Sequence, residues 1–237
     1  DYTSQMMEFA EEFLSNIDDV DGFILKSKSP SCGIRDVKVY PKNQKCSINK
    51  KGQGIFSSKI IEKYSTIPIE DEGRLKNYNI RDEFLTKIFT INNLKCENSI
   101  LDFHNKNSLL LKSYDEEIYN DLNNIIIKEN MDEDDKTLYK NKVYEILNNK
   151  RDKSKRLNLI KNIFEKYKTY LSKNEINYFS NLLKLYENGK IPFSSVIVAI
   201  QIYATRFDDK DLLNQTFFNP YPIELISIAD SGKGRNL

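Results

Sequence analysis

Apolar and polar positions follow a helical period over most of this chain. Met6, Phe9, Ala10, Phe13, Leu14 and Ile17 recur at three- and four-residue spacing, which predicts an amphipathic helix over residues 3–17 with Thr3 as its cap. Gly22 then opens Phe23-Ile24-Leu25, a run of the length of a buried strand. After a polar loop from Ser27 to Gly33, a second β-like run follows at Val37-Lys38-Val39-Tyr40. Residues 41–54, with Pro41, Asn43, Gly52 and Gly54, read as a connection. Phe56, Ile60, Ile61 and Tyr64 mark another helix. Ile67-Pro68-Ile69 is short and extended, because proline disfavours helix in the residue before it. A helix from Asn79 to about Thr90 closes this part. The order helix, strand, loop, helix, strand suggests an α/β layer. Two visible strands are too few for an independent parallel sheet, so further strands are expected upstream.

Beyond Asn92 the period changes. Between Ser99 and Ile191 no run reads as a strand, and helical spacing recurs at Leu101–Leu111, Tyr114–Ile126, Leu138–Leu147 and Leu157–Tyr167. Ser172-Lys173-Asn174-Glu175 is a capping-box pattern, in which a hydroxyl and a carboxylate satisfy orphan amides at a helix start. That helix carries Ile176, Phe179, Leu182, Leu183 and Tyr186 and stops at Gly189, a favoured C-terminal cap. Pro192 starts an apolar helix through Ile202, and Asn219-Pro220-Tyr221-Pro222 is a rigid turn. The tail from Ser231 is expected to be loose.

A formal net charge of +1 conceals a segregation. Nine acids lie between Asp115 and Asp135 against one base, Lys128, whereas eleven bases face three acids from Lys140 to Lys173. The basic stretch reads either as a footprint for RNA or as a solvated helix face. No apolar run approaches the roughly 18 residues of a membrane helix. Cys32, Cys46 and Cys96 are odd in number and widely spaced, which is not a disulfide framework and points to a reducing cytoplasm. There is no Walker-type phosphate loop, dinucleotide fingerprint or zinc-binding cysteine pair.

The segment with most chemistry is Phe23-Ile24-Leu25-Lys26-Ser27-Lys28-Ser29-Pro30-Ser31-Cys32-Gly33. It sets one thiol in a loop of small residues directly after a strand, where α/β folds commonly present ligand sites. Lys26 and Lys28 would favour its thiolate. From the residues alone the thiol could be a nucleophile, a metal ligand or inert. Ser29-Pro30-Ser31-Cys32-Gly33 after this strand resembles the signature of the thiouracil (tRNA 4-thiouridine) desulfidase family. Ile67-Pro68-Ile69-Glu70-Asp71-Glu72-Gly73-Arg74-Leu75 and Arg81-Asp82-Glu83-Phe84 resemble it too. The second half resembles the YbgA-like all-helical domain often fused to that enzyme. The pieces that match are Asp102-Phe103-His104, Leu171-Ser172-Lys173, Tyr186 to Pro192, Leu212-Leu213-Asn214-Gln215 and Asn219 to Leu225.

The resemblance implies an α+β protein: a partial, Rossmann-like α/β part over residues 1–91, an all-helical domain over 92–230 and a tail over 231–237. It further implies a [4Fe–4S] cluster on three cysteines, with Cys32 the one ligand position present, and Ser29 as a catalytic serine. The other two ligands and an acidic residue are expected ahead of Asp1. The fragment by itself is then expected to hold no cluster and to be inactive, while the intact protein desulfurates thiouracil or 4-thiouridine in tRNA. Glu70, Asp71, Glu72 and Arg74 are a polar rim, an ion-pair network or plain loop. His104 is the sole histidine. Ser108 and Leu109 stand where the family has a lysine and an aromatic residue, and Arg156, Asn162 and Glu165 where it has histidines and a glycine. These departures leave open a helical RNA- or protein-binding module beside a degenerate catalytic half.

Overall fold

The computed structural model describes residues 2–39, 49–128 and 130–226, with no account of the side chains of residues 49–51. Cys46, Glu129 and the tail from Ser231 lie outside the described residues. In chain order the first elements are α1 (Thr3–Ser15), β1 (Phe23–Leu25), β2 (Val37–Val39), β3 (Asn49–Gly52), α2 (Ile55–Lys63), β4 (Ile69–Asp71) and α3 (Tyr78–Cys96). Helix α1 begins after Tyr2 with no side-chain cap, so Thr3 lies inside the first turn instead of capping it.

Strand alternation sends Phe23 and Leu25 to one face of β1 and Ile24, 60% exposed, to the other. Leu25 joins Leu14 of α1, Ile34 and Ile60 of α2 in a small core, with Phe23, Cys32, Phe56, Tyr64 and Ile69 packed at its margin. Each fully buried aliphatic side chain there contributes about 2 kcal/mol of transfer free energy. The Tyr64 ring lies 5.0 Å from that of Phe23.

β1 pairs parallel with β4 in the register Phe23↔Ile69, Ile24↔Glu70, Leu25↔Asp71. Both strands therefore end at the same edge, and the loops that follow them are neighbours. β2 and β3 form a separate antiparallel pair. The expected connection over 41–54 thus contains a strand at Asn49–Gly52. Asn-Lys-Lys-Gly has no apolar alternation, and only its backbone pairing with β2 makes it a strand. Helix α3 runs six residues past the expected Thr90, burying Ile91 and Leu94.

The chain divides into two compact units, one of residues 1–92 with 221–237 and one of residues 93–220. The second unit holds α4 (Ile100–Tyr114), α5 (Glu116–Ile126), α6 (Glu133–Asn148), α7 (Lys153–Lys168), α8 (Lys173–Glu187), α9 (Phe193–Arg206) and the single turn α10 (Lys210–Leu213). Six of these starts are capped by side chains, that of α10 by Asp209, which accepts from the Leu212 amide. Ser99, Asp115, Asp132 and Asp152 each accept from backbone amides of the turn they open, and Ser172 with Glu175 completes the predicted capping box. Gly189 ends α8 with φ +68°, a conformation that a side chain resists. Phe103, Leu111, Tyr139, Ile146, Ile160, Phe179 and Ile200 fill the core, and Phe164 stacks on Phe179 at 4.1 Å. The class is α+β. No helix of the described residues is long and apolar enough to cross a membrane.

The charge segregation resolves into helix caps and cross-helix pairs. Asp115 bonds Lys155 at 2.8 Å and Asp121 bonds Lys142 at 2.8 Å, while Asp132 caps α6. Acids cluster in the first turns of α5 and α6, where the positive end of the helix dipole favours them.

Candidate functional site

The loop after β1 is held by its own serines. The Ser29 hydroxyl oxygen accepts from the amides of Ser31 at 3.3 Å and Cys32 at 3.2 Å, and lies 3.1 Å from Ser31 Oγ. Ser31 Oγ is in turn 3.3 Å from Cys32 Sγ. The Gly33 amide donates to Ser29 O at 2.8 Å, closing the turn. Ser29 is thus first of all a turn-builder, since both its lone pairs face amides.

Helix α2 docks end-on against this loop. Ser31 O accepts from the amides of Phe56 at 2.9 Å and Ser57 at 3.2 Å, and Gly33 O accepts from the Gly54 amide at 2.8 Å and the Ser57 hydroxyl at 2.8 Å. Amides that a helix start would otherwise leave orphaned are satisfied by loop carbonyls. The approach is close enough that a Cβ on Gly54 would sit 2.2 Å from Ser31 O and 2.7 Å from the Cys32 amide nitrogen. Cys32 is therefore fixed on its backbone side by α2. Its side chain is half-buried at the margin of the apolar core, not sealed within it.

The loop after β4 ties to the same edge. The Glu72 carboxylate accepts from the Ser27 amide at 2.7 Å, from the Ser27 hydroxyl at 3.3 Å and from Lys26 Nζ at 2.8 Å. The Lys26 hydrogen bond first, then the Ser27 amide, pull the Glu72 carboxyl down to about 2. The Glu72 amide also donates to Leu25 O at 3.2 Å. Glu70, largely buried, accepts from Arg74 Nε at 2.8 Å, and Asp71 accepts from the Arg74 amide at 2.8 Å. Of the three readings left open for these residues, the ion-pair network is the one seen. Lys26 directs its charge to Glu72 instead of to the sulfur, contrary to the expectation from sequence, and Lys28 is exposed with φ +57°.

Sequence reasoning named Cys32 and Ser29 and offered an ion-pair network for Glu72, but missed the parts of Ser31, which contacts the sulfur, and Ser57, which ties α2 to the loop. One signal was available: Ser57 three residues after Gly54 at the start of an apolar-periodic run marks a helix N-terminus.

Three thiolates must converge to hold a [4Fe–4S] cluster with one open iron. Cys32 is the one cysteine of the described residues in this loop cluster, Cys96 ends α3 in an exposed position, and Cys46 is outside the described residues. Among the described residues no three His, Cys, Asp or Glu side chains are grouped to hold a metal. The donor set described here does not fit the cluster, and no step is derived through it.

In the helical unit, His104 is a packed core residue. Nε2 lies 2.8 Å from Asn123 Oδ1 and Nδ1 lies 3.0 Å from the Tyr139 hydroxyl, with the ring stacked on Tyr119 at 5.4 Å. The neutral ring with its proton on Nε2 satisfies both neighbours, accepting from Tyr139 and donating to Asn123. Burial pushes its pKa down.

Residues 1–72 match the 2-thiouracil desulfurase family, and residues 108–222 match a family described as a protein of unknown function, DUF1722. No curated protein and no solved structure matches the chain. The chain thus joins, in one polypeptide, a segment similar to the 2-thiouracil desulfurase family and a segment similar to the DUF1722 family.

Proposed function

We propose that this chain acts in removing sulfur from a thiolated uracil, either free thiouracil or 4-thiouridine in tRNA. The thiocarbonyl C=S becomes C=O, water supplies the oxygen and its protons leave with sulfur as sulfide. The observation that carries the reading is the placement of Cys32. A half-buried thiol stands in a rigid loop at the carboxyl edge of a parallel strand pair, inside the segment matched to the desulfurase family.

Were a [4Fe–4S] cluster bound, Cys32 would be the thiolate that this loop offers it, and the remaining thiolates would have to come from outside the described residues. Thiolate donors suit such clusters, whose chemistry includes binding sulfur. The chain's own residues set the geometry: α2 fixes the loop, Glu72 joins it to the neighbouring loop, and Ser31 contacts the sulfur. Ser29 has both lone pairs engaged by amides and keeps one O–H to donate, to Ser31 or to the substrate. Free thiols of this kind suit the cytoplasm. The helical unit holds the RNA by its phosphates while the base is presented.

The incomplete donor set favours a second reading, a helical RNA- or protein-binding module beside a degenerate catalytic half. One experiment separates the two. The intact protein, purified without oxygen, is expected to be brown and to release sulfide from 4-thiouridine, and Cys32→Ala is expected to bleach it and abolish turnover. A visible absorption band that survives Cys32→Ala refutes the ligand role, and a colourless intact protein leaves only the binding module.

A further inference from the structure

Helix α9 is apolar on its outer side as well as its inner one. It carries one charged residue, Arg206, over Phe193–Arg206, and each other described helix of the second unit carries at least two. Val196, Ile197, Ile200 and Ala204 face the core, while on the opposite side Val198 is 53% and Ile202 61% exposed. A helix that is hydrophobic all round belongs in a covered position.

Helix α8 runs antiparallel beside it. Glu175 pairs with Arg206, the Phe179 ring lies 5.8 Å from that of Tyr203, and the Tyr186 ring lies 5.2 Å from that of Phe193. From the Glu175–Arg206 pair two stripes run along the outside at helical spacing, Tyr178, Leu182 and Leu185 on α8 and Ile202 and Val198 on α9. Tyr178 is 70% and Leu185 36% exposed, with Leu182 half-buried between them. Residues three or four positions away are the helical neighbours of each side chain. Among those neighbours of the five, only Glu175 and Arg206 are charged, and they pair with each other.

The area and the missing charge together say what covers this face. From their exposed fractions, Tyr178, Leu185, Val198 and Ile202 leave roughly 400 Å² of apolar surface in water, enough to mark an interaction site. With a polar rim in the usual proportion the face comes to roughly 700 Å², close to the ~800 Å² that each partner gives to a standard interface. An RNA backbone needs bases and a charged protein needs counter-charges, and these stripes offer neither. A second copy of the chain brings the same uncharged stripes, so the two meet without repulsion.

We propose that α8 and α9 form the interface of a twofold dimer of this chain, the two helices of one copy packing on those of the other as a four-helix layer. Tyr178 and Ile202, the most exposed of the five, are its anchors. The dimer is independent of the desulfuration reading.

The test is sedimentation equilibrium of the full chain, beside circular dichroism. The parent should show twice the mass of one chain at roughly 10–100 µM. Ile202→Glu and Val198→Glu each put a charge within the face, at positions open to water in the single chain, so both should fold as the parent does. Each should raise the dissociation constant at least about hundredfold. Tyr178→Ala removes an exposed ring and should raise it about tenfold. Ile127→Glu places a charge on an exposed apolar residue at the end of α5 and should leave it unchanged. A parent that stays single at about 100 µM overturns the dimer. So does a dimer that survives both glutamate substitutions on α9, or one that Ile127→Glu weakens equally.

Discussion

Glu72→Gln tests how the two loops at the strand edge are joined. The native carboxyl titrates at about 2 against an ordinary value of 4.5. Each unit of such a difference corresponds to about 1.4 kcal/mol, so the shift sets a ceiling of about 3 kcal/mol at neutral pH. The side chain is 38% exposed, and solvent screening of its Lys26 pair reduces the expected effect to about 1 kcal/mol. The sign follows from the depressed native pKa. The contribution is fully present above pH 4.5, declines as the pH falls from there, and is gone below about pH 2. Glutamine keeps an acceptor for the Ser27 amide but loses the charge. The assay is hydrogen exchange at the Ser27 amide in parent and variant, with the Glu72 carboxyl followed by NMR. Ser27 should exchange about fivefold faster in the variant at pH 7, with the difference vanishing near pH 2. A carboxyl midpoint above pH 4, or an exchange difference equal at both pH values, would refute the clamp.

Gly54→Ala places a methyl group 2.2 Å from Ser31 O and should detach the start of α2 from the thiol loop. The expected cost is roughly 2–3 kcal/mol on thermal unfolding, with faster alkylation of Cys32 in the variant than in the parent. His104→Leu should destabilise the helical unit by about 2–3 kcal/mol in denaturant unfolding, because it orphans both Asn123 Oδ1 and the Tyr139 hydroxyl. The same histidine makes stability depend on pH. Its native pKa lies below 6.5, so the unfolded chain takes up the proton first and the unit should lose stability as the pH falls below about 6.5. The leucine variant should lack that dependence, and an identical pH profile in both proteins would contradict the neutral, doubly bonded imidazole.

The helical half was legible because its signals are local. Ser172 and Glu175 lie three residues apart, Gly189 closes the same helix, and the apolar positions of α8 recur within one turn of each other. The sheet was legible in part. Phe23-Ile24-Leu25 announces a strand by its own composition, but Asn49–Gly52 does not, because that strand exists only through its partner. Site residues divide the same way. Cys32 and Ser29 share one loop and could be singled out together, whereas Glu72 reaches Ser27 across 45 residues and Ser57 reaches Gly33 across 24. No local pattern encodes such pairings; they appear only once the parallel register brings the two loops to one edge.

Charge was the most ambiguous signal in the sequence, and the structure sorts it by residue. Acids from Asp115 to Asp135 cap α5 and α6 or pair with lysines of α6 and α7, so most of that run needs no ligand. The same sorting extends to lysines at the start of α7, where Lys155 pairs with Asp115 and Lys153 Nζ donates to Glu187 O. At the other end of that helix Lys166 and Lys168 stand in the last turn, where the negative end of the helix dipole favours them, so these bases too have a role in the fold that needs no ligand.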